Sequence, residues 1–116
     1  MTLEECYARM GADYGEILRR MGNEDRVRRF LQKFPADGSF PLLCESMASG
    51  DAKEAFRAAH SLKGICMNLG LEALHCSSAA LADALRGGSI PPEAGPLLER
   101  VRADYDDCVR LIGALG

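Results

Sequence analysis

The chain has no tryptophan, and aromatic residues fill only 6% of its 116 positions. Residues that mark strands are equally sparse, which leaves a pleated sheet without the side chains that usually cover it. No apolar run approaches the roughly 18 to 20 residues that span a bilayer, and the start MTLEECYARM carries acidic residues where an export signal has basic and then apolar ones. These absences predict an unexported, cytoplasmic chain that makes no membrane contact. Excess positive charge is also missing. The formal net charge is -3, which argues against a general nucleic-acid binder. The five cysteines, Cys6, Cys44, Cys66, Cys76 and Cys108, are odd in number and include no C-x-x-C pair. That excludes a disulfide scaffold and the common zinc motifs, and predicts reduced thiols used mainly as small apolar side chains.

What is present is an ordinary globular composition, 47% apolar and 27% charged, in a length that suits one domain over residues 1–116. Apolar residues recur at three and four, the period of a helix. Thr2 and Glu5 form a capping-box pattern for a short helix ending near Gly11, and a second short helix covers Tyr14 to Met21. Asn23 can cap a third, with Val27, Phe30, Leu31 and Phe34 facing inward. Ser39 is the expected cap of a helix over 40–48 with Leu43 and Met47 inward, and Gly50 ends it. Asp51 and Glu54 repeat the cap-and-return pattern before a helix from Ala52 to Leu69, stopped by Gly70. Another helix runs from Leu71 to Arg86, and Gly87 and Gly88 break it; Ser77, Ser78, Ala79 and Ala80 allow it to pack closely. Pro91 and Pro92 suit the first turn of a final helix that continues to the end of the chain. The predicted fold is all-α: an up-and-down antiparallel four-helix bundle over 23–116, with short N-terminal helices over 1–22 as a cap. The starting methionine and the early capping box favour a free protein, and a bundle that closes on itself predicts a monomer.

At about 100° per residue, Ala55, Ala59, Leu62, Cys66 and Leu69 occupy an arc of roughly 80°, and His60 points about 140° from its centre. His60 is therefore expected in solvent, not among core side chains. Phe56 lies one turn before it, Lys63 and Gly64 one turn after, and Met67 two turns after. A mid-helix glycine costs about 1 kcal/mol relative to alanine, so Gly64 asks for a reason, and access of a partner to His60 supplies one. Lys63 can set its ammonium beside a phosphoryl group on the imidazole. Phe56, Arg57 and Met67 are the expected partner-binding residues. The cationic stretch Arg19, Arg20, Arg26, Arg28, Arg29 and Lys33 reads first as a solvated face and second as a docking surface for an acidic partner.

His60-Ser61-Leu62-Lys63-Gly64, followed by Asn68-Leu69-Gly70, closely resembles the phosphotransfer motif of the histidine-containing phosphotransfer (HPt) domains of two-component phosphorelays. The likeness extends in outline over most of the chain. It implies that His60 accepts a phosphoryl group from the aspartyl phosphate of a receiver domain and passes it to another receiver. The partners are then receiver domains and a hybrid histidine kinase, and the chain is a carrier with no cofactor and no catalytic activity of its own. It also implies that Lys63 neutralises phosphate charge, that Gly64 gives access, and that the magnesium ion and acidic pocket belong to the receiver. Such domains often place a glutamine or glutamate near the histidine from the following helix; the aligned residue here is Ala82, so the ring must be oriented by something else, such as a backbone carbonyl or water. The reacting imidazole must be neutral, because a protonated nitrogen has no lone pair to attack phosphorus.

Two other classes compete. One is a helical adaptor that binds receiver or kinase domains without being phosphorylated. The other is a metal-dependent enzyme built from His60, His75 and cysteines, which is disfavoured because Cys66 lies on the inner arc while His60 points outward, and His75 sits at a stripe boundary. A serine or cysteine hydrolase lacks its Gly-x-Ser-x-Gly elbow.

Overall fold

Side chains that stop and start helices set the element boundaries. In the computed structural model, which describes residues 1–115, the order is α1 (Leu3–Arg9), α2 (Tyr14–Met21), α3 (Glu24–Lys33), a 3-10 turn (Phe34–Ala36), α4 (Ser39–Ser49), α5 (Ala52–Leu69), α6 (Glu72–Leu85) and α7 (Ala94–Gly113). No strand occurs among the described residues. The Thr2–Glu5 capping box forms in both directions, Glu5 N–H donating to Thr2 Oγ1 at 3.1 Å and Thr2 N–H to Glu5 Oε1 at 3.3 Å. Asn23 accepts from Arg26 N–H and Asp51 from Glu54 N–H, at 2.8 and 3.2 Å. Each such cap is worth about 1 kcal/mol.

Four details depart from the sequence expectation. Ser39 is not a cap but the first helical residue of α4; Gly38 occupies the cap position, and Asp37 Oδ1 receives the Ser39 N–H. The Glu54 carboxylate turns to Arg57 at 3.0 Å, with no return to the Asp51 backbone, because an i,i+3 cation is within reach. Pro91 and Pro92 precede α7, and Pro96 sits in its first turn, where a missing N–H costs nothing; the helix stops at Gly113, short of the end. Phe30 is 45% exposed, not inward. Val27, Leu31 and Phe34 already fill the narrow inner face of this short segment, and Phe30 falls at its edge beneath the Lys33 ammonium.

The long helices form an antiparallel bundle in which α5 packs between α4 and α6, and α6 packs on α7. Phe40 of α4 stacks on Tyr105 of α7 with ring centroids 4.1 Å apart, joining the first and last helices. Ser77 and Ser78 are fully buried, as their small size allows, and their hydroxyls donate back to Leu74 O at 3.3 and 2.6 Å. The tight α5–α6 connection depends on Gly70, which adopts φ 73° and lets Leu71 N–H reach Cys66 O at 2.9 Å.

The two N-terminal helices cover the C-terminal end of α5. Carbonyls there have no partner within the helix. Tyr7 Oη donates to Leu69 O at 2.7 Å, and Arg20 Nη2 donates to Met67 O and Asn68 O at 3.0 Å each. Ile17 lies against Gly70 so closely that a Cβ there would come within 2.5 Å of Ile17 Cδ1. No helix is long and apolar enough to cross a membrane among the described residues.

Candidate functional site

The site lies mid-way along α5. Ala55, Ala58, Ala59, Leu62, Cys66 and Leu69 make the buried stripe of that helix, one residue wider than the spacing predicts because Ala58 also turns inward. His60 is exposed on the other side, as its phase requires.

The His60 ring stacks on Phe56, one turn earlier, with centroids 5.9 Å apart and planes inclined at 23°. Phe56 is half-buried against the core, so its own ring is anchored. The guanidinium of Arg86 lies 5.5 Å from the Phe56 centroid and pairs with Asp83 at 3.0 Å. Sequence reasoning missed Arg86. The contact joins the C-terminal end of α6 to α5, and no local pattern in the sequence marks it.

No hydrogen bond reaches the His60 ring among the described residues. Ala82 is buried and offers only a methyl group. Among the described residues the ring contact of the imidazole is the Phe56 stack.

Lys63 is half-buried one turn beyond His60 and makes no ion pair among the described residues, which leaves its ammonium available to an incoming anion. Arg57 shares the outer face but is engaged by Glu54 in an exposed pair of little energetic weight. Met67 is 52% exposed, two turns past His60.

Gly64 has no atom within 4 Å of where a Cβ would stand. Close packing within this chain does not explain a glycine there, and neither does crowding of the His60 ring in the free protein. The space beside Gly64 is open.

His60 and Cys66 sit on opposite faces of α5, which separates them as ligands. Burial pushes the Cys66 thiol well above its ordinary value, with Cys108 adding to the effect. His75 is half-exposed on α6 and takes no part in the His60 face. A groove of about 350 Å³ between α3 and α5, lined by Phe30, Phe34, Ile65 and Asn68 among others, does not include His60 in its lining.

Comparison with known proteins follows the same outline. A family model described as "Hpt domain" matches residues 23–110. Over 82 residues, 69% of this chain, the sequence is 37% identical to a sensor histidine kinase, AruS, of Pseudomonas aeruginosa. The match spans 8% of that kinase's length. No solved structure matches the chain.

Proposed function

The chain belongs to the Hpt domain family, the phosphocarrier modules of two-component signalling, and from that premise we propose that His60 is its phosphoryl acceptor in a relay between receiver domains. The observation that supports this most is the exposed, stacked imidazole of His60, open on one flank at Gly64 and bordered by the uncommitted cation of Lys63.

A neutral imidazole nitrogen attacks the phosphorus of a receiver's aspartyl phosphate. The N–P bond forms as the O–P bond to the aspartate breaks, and the carboxylate leaves with the electron pair. The reverse step, on a second receiver, returns the phosphoryl group to an aspartate oxygen. Such transfer depends on in-line positioning and charge stabilisation more than on proton transfer. Phe56 holds the ring, Lys63 offsets the charge of the phosphoryl oxygens, and Gly64 lets the receiver approach. Phe56, Arg57 and Met67 form the docking surface around the nucleophile. Within this reading residues 1–116 act as one monomeric cytoplasmic module that carries the phosphoryl group without catalytic activity of its own.

A receiver-binding adaptor is the second reading, favoured by one observation: no side chain hydrogen-bonds the His60 ring among the described residues. A two-receiver chase separates the readings. Label carried in on one phosphorylated receiver reaches a second receiver through the wild type and not through His60→Gln. Binding to both receivers with no movement of label overturns the relay in favour of the adaptor. Lys63→Ala should slow the chase roughly tenfold or more, because removal of one charge-stabilising group has at least that effect.

A further inference from the structure

The first turns of α6 place three donor groups together on the side away from its core stripe. Leu71, Leu74, Ser77 and Ser78 face inward, so Glu72, His75 and Cys76 share the outer surface at spacing i, i+3, i+4. One carboxylate oxygen, one imidazole nitrogen and the thiol sulfur of these residues all lie within 4.8 Å of one another. Cys76 Sγ already approaches Glu72 Oε1 at 3.8 Å. Glu72 and Cys76 are exposed and His75 is half-exposed, so their rotamers are free to adjust.

We propose that Glu72, His75 and Cys76 form a binding site for a divalent cation of borderline softness, zinc or cobalt, separate from the His60 face. Tetrahedral coordination with metal–ligand bonds of 2.0 to 2.3 Å needs donors about 3.5 Å apart, which asks for roughly 1 Å of closure by exposed side chains. A sulfur, nitrogen and oxygen set suits zinc or cobalt and is wrong for magnesium or calcium, which take oxygen alone. Binding replaces the thiol proton of Cys76, which leaves to buffer, and the thiolate becomes the metal's sulfur ligand.

The surroundings supply what three ligands leave open. Glu72 and His75 border a cavity of about 340 Å³ that Glu16 and Asp13 of the α2 end also line. Asp13 Oδ1 accepts the Glu16 N–H, and the Glu16 carboxylate or water is the fourth donor we assign. Arg20 lines the same cavity, but its guanidinium is bound to the Met67 and Asn68 carbonyls. Sequence spacing pointed away from a metal because Cys66 and His60 fall on opposite faces and His75 reads as a stripe-boundary residue; Cys76 is the one cysteine that is exposed among the described residues.

Cobalt titration of the full-length reduced protein tests the site, with the near-ultraviolet thiolate-to-cobalt charge-transfer band as readout. One equivalent should produce the band, and zinc should bleach it by displacement. Cys76→Ser should abolish the band with helical circular dichroism unchanged, and His75→Gln should weaken cobalt binding at least about tenfold. His60→Gln should leave both band and affinity intact. A band absent at stoichiometric cobalt, or one that survives Cys76→Ser, overturns the proposal.

Discussion

The imidazole of His60 and the ring of Phe56 lie one helical turn apart, with centroids at 5.9 Å and planes at 23°. No protein group hydrogen-bonds the imidazole among the described residues, and the stack is its ring contact there. Arg86 rests 5.5 Å from the centre of the same phenyl ring and ties it to the end of α6.

Phe56→Leu removes the flat surface while keeping apolar bulk at a half-buried position. Stability should change by less than about 1.5 kcal/mol, as volume-conserving swaps do. The single-turnover rate of phosphoryl transfer from a receiver should fall roughly tenfold through loss of alignment. Rapid-quench measurement checks this, and an unchanged rate would remove Phe56 from a positioning role.

Gly64→Ala separates folding from function. Nothing in the free chain opposes the added methyl, so the variant should gain about 1 kcal/mol from helix propensity. Transfer should slow nevertheless, because the methyl stands in the open flank beside His60. Urea melts and transfer kinetics on the same preparation read both effects. A variant that is stabilised and transfers normally would deny Gly64 its access role.

The buried thiols and the buried phenol give a pH signature. Burial pushes Cys108 up to about 12 and drives the Cys66 thiol and the Tyr7 phenol upward as well. Unfolded, the thiols titrate near 9.0 and the phenol near 10.0. Above about pH 9 the unfolded chain therefore holds fewer protons than the folded one, and stability declines with rising pH; below it the contribution is complete. The urea midpoint should drop between about pH 8 and about pH 10.5. At neutral pH an alkylating reagent should modify exposed Cys76 first and spare buried Cys6, Cys66 and Cys108 until the protein unfolds.

Tyr7→Phe leaves the Leu69 carbonyl without its 2.7 Å donor and should cost about 1 to 3 kcal/mol, the penalty for a buried group left unpaired. A loss of under a few tenths would mean that water replaces the hydroxyl.

Helix phase made much of this legible in the sequence. The 3.6-residue period placed His60 opposite Ala55, Leu62 and Cys66 because that relation depends only on backbone geometry. Caps with a side-chain oxygen, at Thr2, Asn23 and Asp51, were equally readable. Relations between elements were not. Phe30 stayed at an edge because its neighbours filled a narrow interface, and Tyr7 and Arg20 reach α5 carbonyls 47 to 62 residues away, which no local pattern encodes. Arg86 over Phe56 and the Glu72–His75–Cys76 group likewise needed coordinates, the first because it joins two helices and the second because its spacing matches no familiar ligand motif.

The account stands most directly on where a phosphoryl group goes. The protein should be incubated with labelled, phosphorylated receivers, and the product examined for acid-labile, base-stable label. The account predicts such label on His60 and none on His60→Gln folded to the same helical content. Label that persists in His60→Gln, or that is stable to acid, would contradict it.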